Sequence, residues 1–493
     1  MLSTEARPNL LLITVDQMRY DCMSIEGHPI VDAPNLDELA RTGIRFERAY
    51  SATPSCVPAR AAIFTGLSQV SHGRVGYDVS VPWRYDTTLP GELARAGYHT
   101  QCVGKMHVNP TRSLLGFHNV RLHDGYTLYN RNRTRITAAN HFDHADDYLP
   151  WLRERAGAEQ DMLDLGLDCN ASTVARPWTL PESLHPTNWV VTESIDFLRR
   201  RDTTKPFFLW MSFVRPHPPL DPPQAYWDMY AQEAMPARPI GDWADTNDPG
   251  LEGLSPVTGK GLVPKRRLDR ALAGYYGLIT HLDHQIGRYM QALREYGVLN
   301  NTIIMFTSDH GDMLGDHHLY RKALPYEGSA HVPFILNDPG NQLGLARGTK
   351  LQEVIEMRDI MPTLLDAAGL TIPDGIDGES ILGLAREEKK DWRHYLHGEH
   401  AYGMQSNQWI TDGRHKYIWY SQTGEEQLFD LLHDPTELHN AIGDEAYQEE
   451  ASRLRTLLIQ ELNGREEGYS DGERLYAGCK PKLSLQHLLD RTN

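Results

Sequence analysis

Cys56-Val57-Pro58-Ala59-Arg60, inside the stretch Ser51 to Gly66, sets a thiol, a proline and a guanidinium two residues apart. Other reactive side chains recur in short clusters along the chain: Asp16-Gln17, Gly104-Lys105-Met106-His107, Arg215-Pro216-His217, Ser308-Asp309-His310 and Arg321-Lys322. Chemistry on a sulfate or phosphate ester needs a nucleophile, a cation against the equatorial oxygens and an acid for the leaving alcohol. Those clusters contain candidates for all of them. Asp16, Gln17, Asp309 and His310 could ligate the cation, since carboxylate and amide oxygens suit Ca2+ or Mg2+ and an imidazole shifts the balance toward Mn2+. Each residue also has a plainer reading. Cys56 could be an ordinary buried thiol, Asp16 a turn cap, Lys105 and His107 a solvated pair, and His217 a loop histidine stiffened by prolines.

What must position these groups is a set of apolar runs alternating with helical patterns. That alternation predicts a mostly parallel sheet covered on both faces. Strands are expected at Leu10–Val15, Thr100–Val103, Pro206–Phe213 and Thr302–Thr307, and helices at Asn35–Thr42, Leu89–Ala96 and Arg267–Tyr296, with another beginning at Arg60. The reactive clusters lie just past the C-terminal ends of predicted strands, the edge where open α/β sheets bind ligands. Segments 112–186 and 218–266 show no clear element and are expected to shape substrate access. A composition shift near Asp374-Gly375 divides the chain into a catalytic α/β domain, 1–372, and a smaller α+β domain, 373–493. The latter carries antiparallel strands at Trp409–Thr411 and Lys416–Tyr420 and a helix at Asp444–Leu462.

The 493 residues, 40% of them hydrophobic, can bury one large core and a companion. A formal net charge of -17 without a long basic run argues against a nucleic-acid partner. A local cluster of Lys, Arg and His could still bind a small anion. The N-terminal run Asn9 to Val15 is too short for a membrane span and has neither a basic n-region nor a small-residue cleavage site. Five cysteines without paired spacing fit a reducing compartment. The expectation is a cytoplasmic protein with no membrane partner.

Ser55-Cys56-x-Pro58-x-Arg60 with Thr65-Gly66, Gly104-Lys105-x-His107, Asp309-His310 and Asp434-Pro435-x-Glu437 together resemble the type I sulfatase family, over nearly the whole chain. The resemblance implies an alkaline-phosphatase-like three-layer α/β sandwich. It implies that a formylglycine-generating enzyme, acting on the unfolded chain, oxidises Cys56 to formylglycine, whose hydrate is the nucleophile and also meets the metal. Asp16, Gln17, Asp309 and His310 would hold one divalent ion, Ca2+ first, with Mg2+ or Mn2+ as alternatives. Gln17 stands where many members have a second aspartate.

Arg60 would bind the hydrate, and Lys105 and Lys322 the sulfate oxygens, with Arg321 competing for the latter place. His107 would act as the base that expels sulfate and His217 as the acid on the ester oxygen. The implied reaction is hydrolysis of a carbohydrate, aryl or alkyl sulfate ester. A phosphonate monoester or phosphodiester hydrolase of the same superfamily is the alternative. A binding protein lacking catalysis would be expected to have lost one of these residues, and an unmodified cysteine hydrolase would be inactivated by thiol alkylation. Trp83, Arg84 and Tyr85, or His397, Glu399, His400 and Tyr402, could line the substrate's subsite or merely pack the domain surface.

Overall fold

The computed structural model of the chain describes residues 7–124, 145–157, 167–244, 255–389 and 391–491. Its large sheet has eight strands in the order β4-β3-β5-β1-β6-β7-β2-β8. They are β1 (Asn9–Asp16), β2 (Ile44–Tyr50), β3 (His99–Gly104), β4 (Asn119–Leu122), β5 (Phe207–Pro216), β6 (Thr302–Ser308), β7 (Phe334–Asn337) and β8 (Thr349–Glu356). All neighbouring pairs are parallel except those made by β7. Strand side chains alternate between faces, and here both faces are apolar. Leu11, Ile13, Phe207, Leu209, Ile304 and Phe306 enter one core; Leu10, Leu12, Phe208, Trp210, Ile303 and Met305 enter the other. This two-sided burial is why the strands read as continuous hydrophobic runs.

Helices α1 (Pro34–Thr42), α4 (Pro186–Arg200) and α5 (Lys265–Glu295) cover the first face. Helices α2 (Cys56–Thr65), α3 (Leu89–Arg95) and α6 (Ile360–Ala367) cover the second. The expected three-layer sandwich is therefore the observed one. Its helix α2 begins four residues earlier than the sequence pattern suggested. Ser55 is extended, and Cys56 opens the helix, so Cys56 lies in a first turn where backbone N–H groups and the helix dipole favour negative charge.

Helix α1 carries no cap of its own, because Ala33 precedes it. Asp283 of α5 supplies one, accepting the Leu36 N–H at 2.7 Å and the Asn35 N–H at 3.2 Å. Gly287, one turn further, allows the close approach, since a Cβ there would lie 2.3 Å from Asn35 Oδ1. Burial, opposed by these donors, lifts the Asp283 carboxyl to about 6. Asp283→Ala should cost about 1–2 kcal/mol, as lost caps do. Because the folded-state pKa is raised, ionisation of Asp283 removes stability as pH climbs from about 4 to about 6. The substitution should hurt most below that window, a trend that urea denaturation across pH would measure; a cost that grows with pH would contradict it.

The second sheet, β12-β11-β10-β9, is antiparallel throughout and comprises β9 (Leu396–His400), β10 (Asn407–Thr411), β11 (His415–Tyr420) and β12 (Glu426–Asp430). Helix α7 (Gln448–Glu461) packs Leu454 and Leu458 on one face, against Tyr417 and Leu428. The other face meets Tyr50, Met313 and Tyr326 of the large unit through Trp409, Ile418 and Phe429. Ile381, Leu382, Leu384 and Trp392 still belong to the core of the large sheet, so the separate sheet starts only at Leu396. The first of the two segments without clear sequence signals contains β4 and a helix at Tyr148–Ala156, the second a helix at Gln224–Tyr230; residues 125–144, 158–166 and 245–254 lie outside the described ones.

Candidate active site

The C-terminal ends of β1, β3, β5 and β6 converge beneath the N-terminus of α2. Asp16 ends β1, and Gln17 follows with a left-handed φ of 73° that turns the chain sharply. Asp309 follows β6, with its N–H bonded to Val15 O at 3.1 Å and its Oδ1 accepting the Gln17 N–H at 3.2 Å. These reciprocal bonds hold the two strand ends in one register. Gly104 ends β3 where a Cβ would stand 1.9 Å from Ser212 O. Only glycine permits that approach, and Lys105 and His107 leave the sheet from there.

Cys56 Sγ lies 3.3 Å from His310 Nε2, 3.6 Å from Asp16 Oδ1 and 3.0 Å from Lys322 Nζ. Ligand atoms of Asp16, Cys56, Asp309 and His310 all fall within 4.8 Å of one another. His310 donates Nδ1–H to Gly311 O at 2.9 Å, which turns Nε2 toward the cluster. The Gln17 side-chain oxygen also turns inward, 2.9 Å from Lys322 Nζ, while its amide nitrogen donates to Asp312. Two buried carboxylates, an amide oxygen and an imidazole lone pair are a donor set that fits a divalent cation.

The electrostatics agree. Burial, then the repulsion of Asp16, lifts the Asp309 carboxyl to about 6. For Asp16 burial acts upward too, but Lys105, which pairs directly with it, and then His217 and Lys322 hold it well below the carboxylate range. Burial and the Asp16 charge work to raise the Cys56 thiol, yet Lys105, Lys322 and His310 outweigh them and press it well below its usual value. Those cations favour the anionic form of a thiol so placed.

Arg60 is wholly buried one turn along α2. Its Nε meets Asp309 Oδ2 at 3.2 Å, and its Nη1 donates to Lys105 O at 2.7 Å and Ser212 Oγ at 2.8 Å. Its Nη2 is buried without a hydrogen-bond partner among the described residues. His107 also adopts a left-handed φ, 61°, and Asp124 accepts its N–H at 2.9 Å and that of Met106 at 3.1 Å. Burial, then Lys105, lowers the pKa of His107.

His217 is held through its backbone N–H to Asp16 O at 3.0 Å and its Nδ1–H to Pro218 O at 2.8 Å. The loop carrying it is anchored by the buried pair Arg215–Asp221, bidentate at 2.8 and 2.9 Å. Burial, then Lys322, keeps His217 well below its ordinary pKa. Of the neighbours Arg321 and Lys322, it is Lys322 that reaches the thiol; Arg321 turns to Asn170 Oδ1 at 3.1 Å. Of the residues proposed from the sequence as catalytic or metal-binding, Cys56, Lys105, His107, His217 and Lys322 line one cavity of about 520 Å³, and Asp16, Gln17, Arg60, Asp309 and His310 contact them.

Some lining residues gave no sequence signal. Tyr77 places its hydroxyl 3.3 Å from His107 Nε2, and Cys169 and Asn170 come from the first irregular segment. They lie in loops without periodicity, and only the fold brings them here. The two candidate subsite sets split. Trp83 and Tyr85 stack on buried Arg74, His397 bonds Gln408 at 2.9 Å, and Glu399 pairs with Arg465 at 2.9 Å. Those four are packing. His400 and Tyr402 line the cavity, and His400 Nε2 touches Ser55 Oγ at 2.7 Å, so the small sheet closes onto the cap of α2.

The Sulfatase family profile matches residues 8–370, and that of the N-sulphoglucosamine sulphohydrolase C-terminal family matches residues 315–464. The chain is 55% identical over 482 residues to an arylsulfatase of Clostridium perfringens, covering 98% of this chain and 100% of that protein. It is 30% identical over 489 residues to the multifunctional alkaline phosphatase superfamily protein PehA of Trinickia caryophylli, covering 90% and 92%. A solved phosphonate monoester hydrolase of Agrobacterium radiobacter superposes with a TM-score of 0.74 at 28% identity, covering 92% of this chain and 95% of that one. The chain belongs to the sulfatase family of the alkaline-phosphatase-like superfamily. Among the described residues, no helix is long and apolar enough to cross a membrane.

Proposed function

We propose that this protein hydrolyses an organic sulfate ester, releasing inorganic sulfate, with residue 56 acting as formylglycine. The observation that carries this reading is that Lys322 on Cys56 and Lys105 on Asp16 meet in one cavity with Cys56, at the cluster that Asp309 and His310 complete. The 55% identity to an arylsulfatase supports it. Formylglycine would supply a hydroxyl nucleophile able to release sulfate again, and a divalent ion, Ca2+ by preference for the oxygen-rich donors, would neutralise charge on the sulfuryl oxygens. Asp16, Gln17, Asp309 and His310 would hold that ion. Arg60 Nη2, buried and without a hydrogen-bond partner among the described residues, is a donor available to an oxygen on residue 56.

Lys105 and Lys322 bind the sulfate oxygens and offset the charge that builds on them in the transition state. His107 Nε2, beside the Tyr77 hydroxyl, takes a proton. His217 gives one to the leaving oxygen. With Nδ1–H committed to Pro218 O, His217 can do so only from Nε2 and only when doubly protonated. Its depressed pKa means that the incoming sulfate anion, set against Lys322 and Lys105, must draw the proton on.

Two tests follow from these roles. 4-Nitrophenyl sulfate and a 4-nitrophenyl phosphonate monoester, assayed side by side, should favour the sulfate in kcat/KM, and preference for the phosphonate would reverse the reading. His217→Asn should lower kcat/KM for phenyl sulfate by about 10²–10³, the scale of general-acid catalysis. The loss should be much smaller for 4-nitrophenyl sulfate, whose leaving group needs little protonation. Equal losses on both esters would remove His217 from that role.

A further inference from the structure

The chain carries a formal charge of -17, yet among the described residues no carboxylate lines the catalytic cavity above its floor. Among the described residues, three lysine or arginine side chains face it: Lys105, Lys322 and Arg321. The two lysines have partners at the floor, Asp16 for Lys105, and Gln17 and Cys56 for Lys322. Arg321 differs. Its guanidinium is held only by neutral acceptors, Asn170 Oδ1 at 3.1 Å and Val257 O at 3.5 Å, and no carboxylate pairs with it among the described residues.

Its backbone is fixed independently of that side chain. Arg321 has φ 69°, donates its N–H to Asp312 Oδ1 at 2.8 Å and accepts the Met313 N–H at 2.8 Å. Asp312 is the residue that also receives the Gln17 amide, so Arg321 is built onto the same frame as the floor. Around it the cavity mouth is apolar and aromatic: Tyr77, Tyr402 and Leu483 are 37%, 42% and 43% exposed. The loop with Tyr77 is tied to the C-terminal tail by Val75 N–H to Leu483 O at 3.1 Å, which holds these side chains as one wall.

We infer that Arg321, oriented by Asn170, is a specificity residue that recognises a second negative charge on the substrate, carried by a ring that the mouth packs against. The inference rests on the sulfate-ester reading and narrows it to sulfate esters bearing a further carboxylate or sulfate. The inner lysines take the scissile group. The guanidinium fork offers N–H donors to a second anion, a pairing stronger than its present neutral contacts. A neutral ring would gain only the packing against Tyr77, Tyr402 and Leu483.

The test compares 3- and 4-carboxyphenyl sulfate with their methyl esters, which match them in shape but lack the charge. Wild type should favour at least one acid over its ester in kcat/KM by about tenfold, the worth of one charge-assisted pair. In Arg321→Gln the ratio should collapse toward one, and Asn170→Ala, which frees the guanidinium, should lower it in part. The ratio is taken within each variant, so loss of folded enzyme cancels. Binding of the same compounds to the Cys56→Ala chain, followed by calorimetry, should show the same preference without turnover. No preference in wild type, or one that survives Arg321→Gln, would overturn the inference while leaving sulfatase activity in place. Failure of the wild type to cleave any of these sulfates would instead strike the underlying reading.

Discussion

Cys56→Ala is expected to abolish sulfate-ester turnover, by at least about four orders of magnitude, while the chain stays folded. The size follows from removing a covalent nucleophile, whose partners then retain only binding and charge stabilisation. The retained fold follows from what the side chain does structurally. Its sulfur meets polar atoms of Asp16, His310 and Lys322, so alanine deletes little apolar contact. The stability change should stay within about 1 kcal/mol. Activity with 4-nitrophenyl sulfate and a thermal melt, measured on one preparation, check both halves. Near wild-type activity would end the mechanism.

The same residue carries the modification, and the tryptic peptide Ala49–Arg60 of active wild type should show the thiol replaced by an aldehyde. An intact thiol in enzyme of full specific activity would refute formylglycine. Alkylation is a weaker discriminator than the sequence suggested, because Cys169 lines the same cavity. A thiol reagent could block the active protein through Cys169 alone. The alkylation experiment therefore belongs in a Cys169→Ser background, where the converted enzyme should resist.

What the sequence disclosed and what it withheld have separate physical causes. Strands buried on both faces, such as β1, β5 and β6, announce themselves as apolar runs, and residues just beyond them must meet at one edge. Asp16, Lys105, His217 and Asp309 were legible for that reason. Lys322 was legible only through the family resemblance; its rivalry with Arg321 needed side-chain directions, which a left-handed residue at 321 decides. Tyr77 and Asn170 sit on loops without periodicity, and the place of Tyr77 rests on long-range ties, Gly76 to Ala401 and Val75 to Leu483. No local pattern encodes such ties. Trp83 and Tyr85, whose composition suits a subsite or a packed surface alike, take the second role: Arg74 lies against both rings and donates to the Tyr85 hydroxyl and to three backbone carbonyls, those of Asp78, Val81 and Pro82.

Arg60→Met should be the most damaging single change to stability among the site residues, and its cost should depend on metal. The guanidinium is the buried counter-charge of Asp309 and also ties β3 to β5 through Lys105 O and Ser212 Oγ. Methionine fills much of the volume but leaves Asp309 unpaired beside Asp16, and deleting one partner of a buried pair costs about 3–5 kcal/mol. A divalent ion on Asp16 and Asp309 would supply part of the missing positive charge. The penalty should then be largest after chelation and smaller with saturating Ca2+, because an ion that binds only the folded chain adds stability by mass action. Urea denaturation of wild type and variant, each with EDTA and with Ca2+, forms the complete cycle. A penalty below about 1 kcal/mol after chelation would show that Asp309 is not held by Arg60 in the way its 3.2 Å contact implies. A penalty indifferent to Ca2+ would separate Asp309 from the metal and leave the carboxylate pair without the cation that its burial demands.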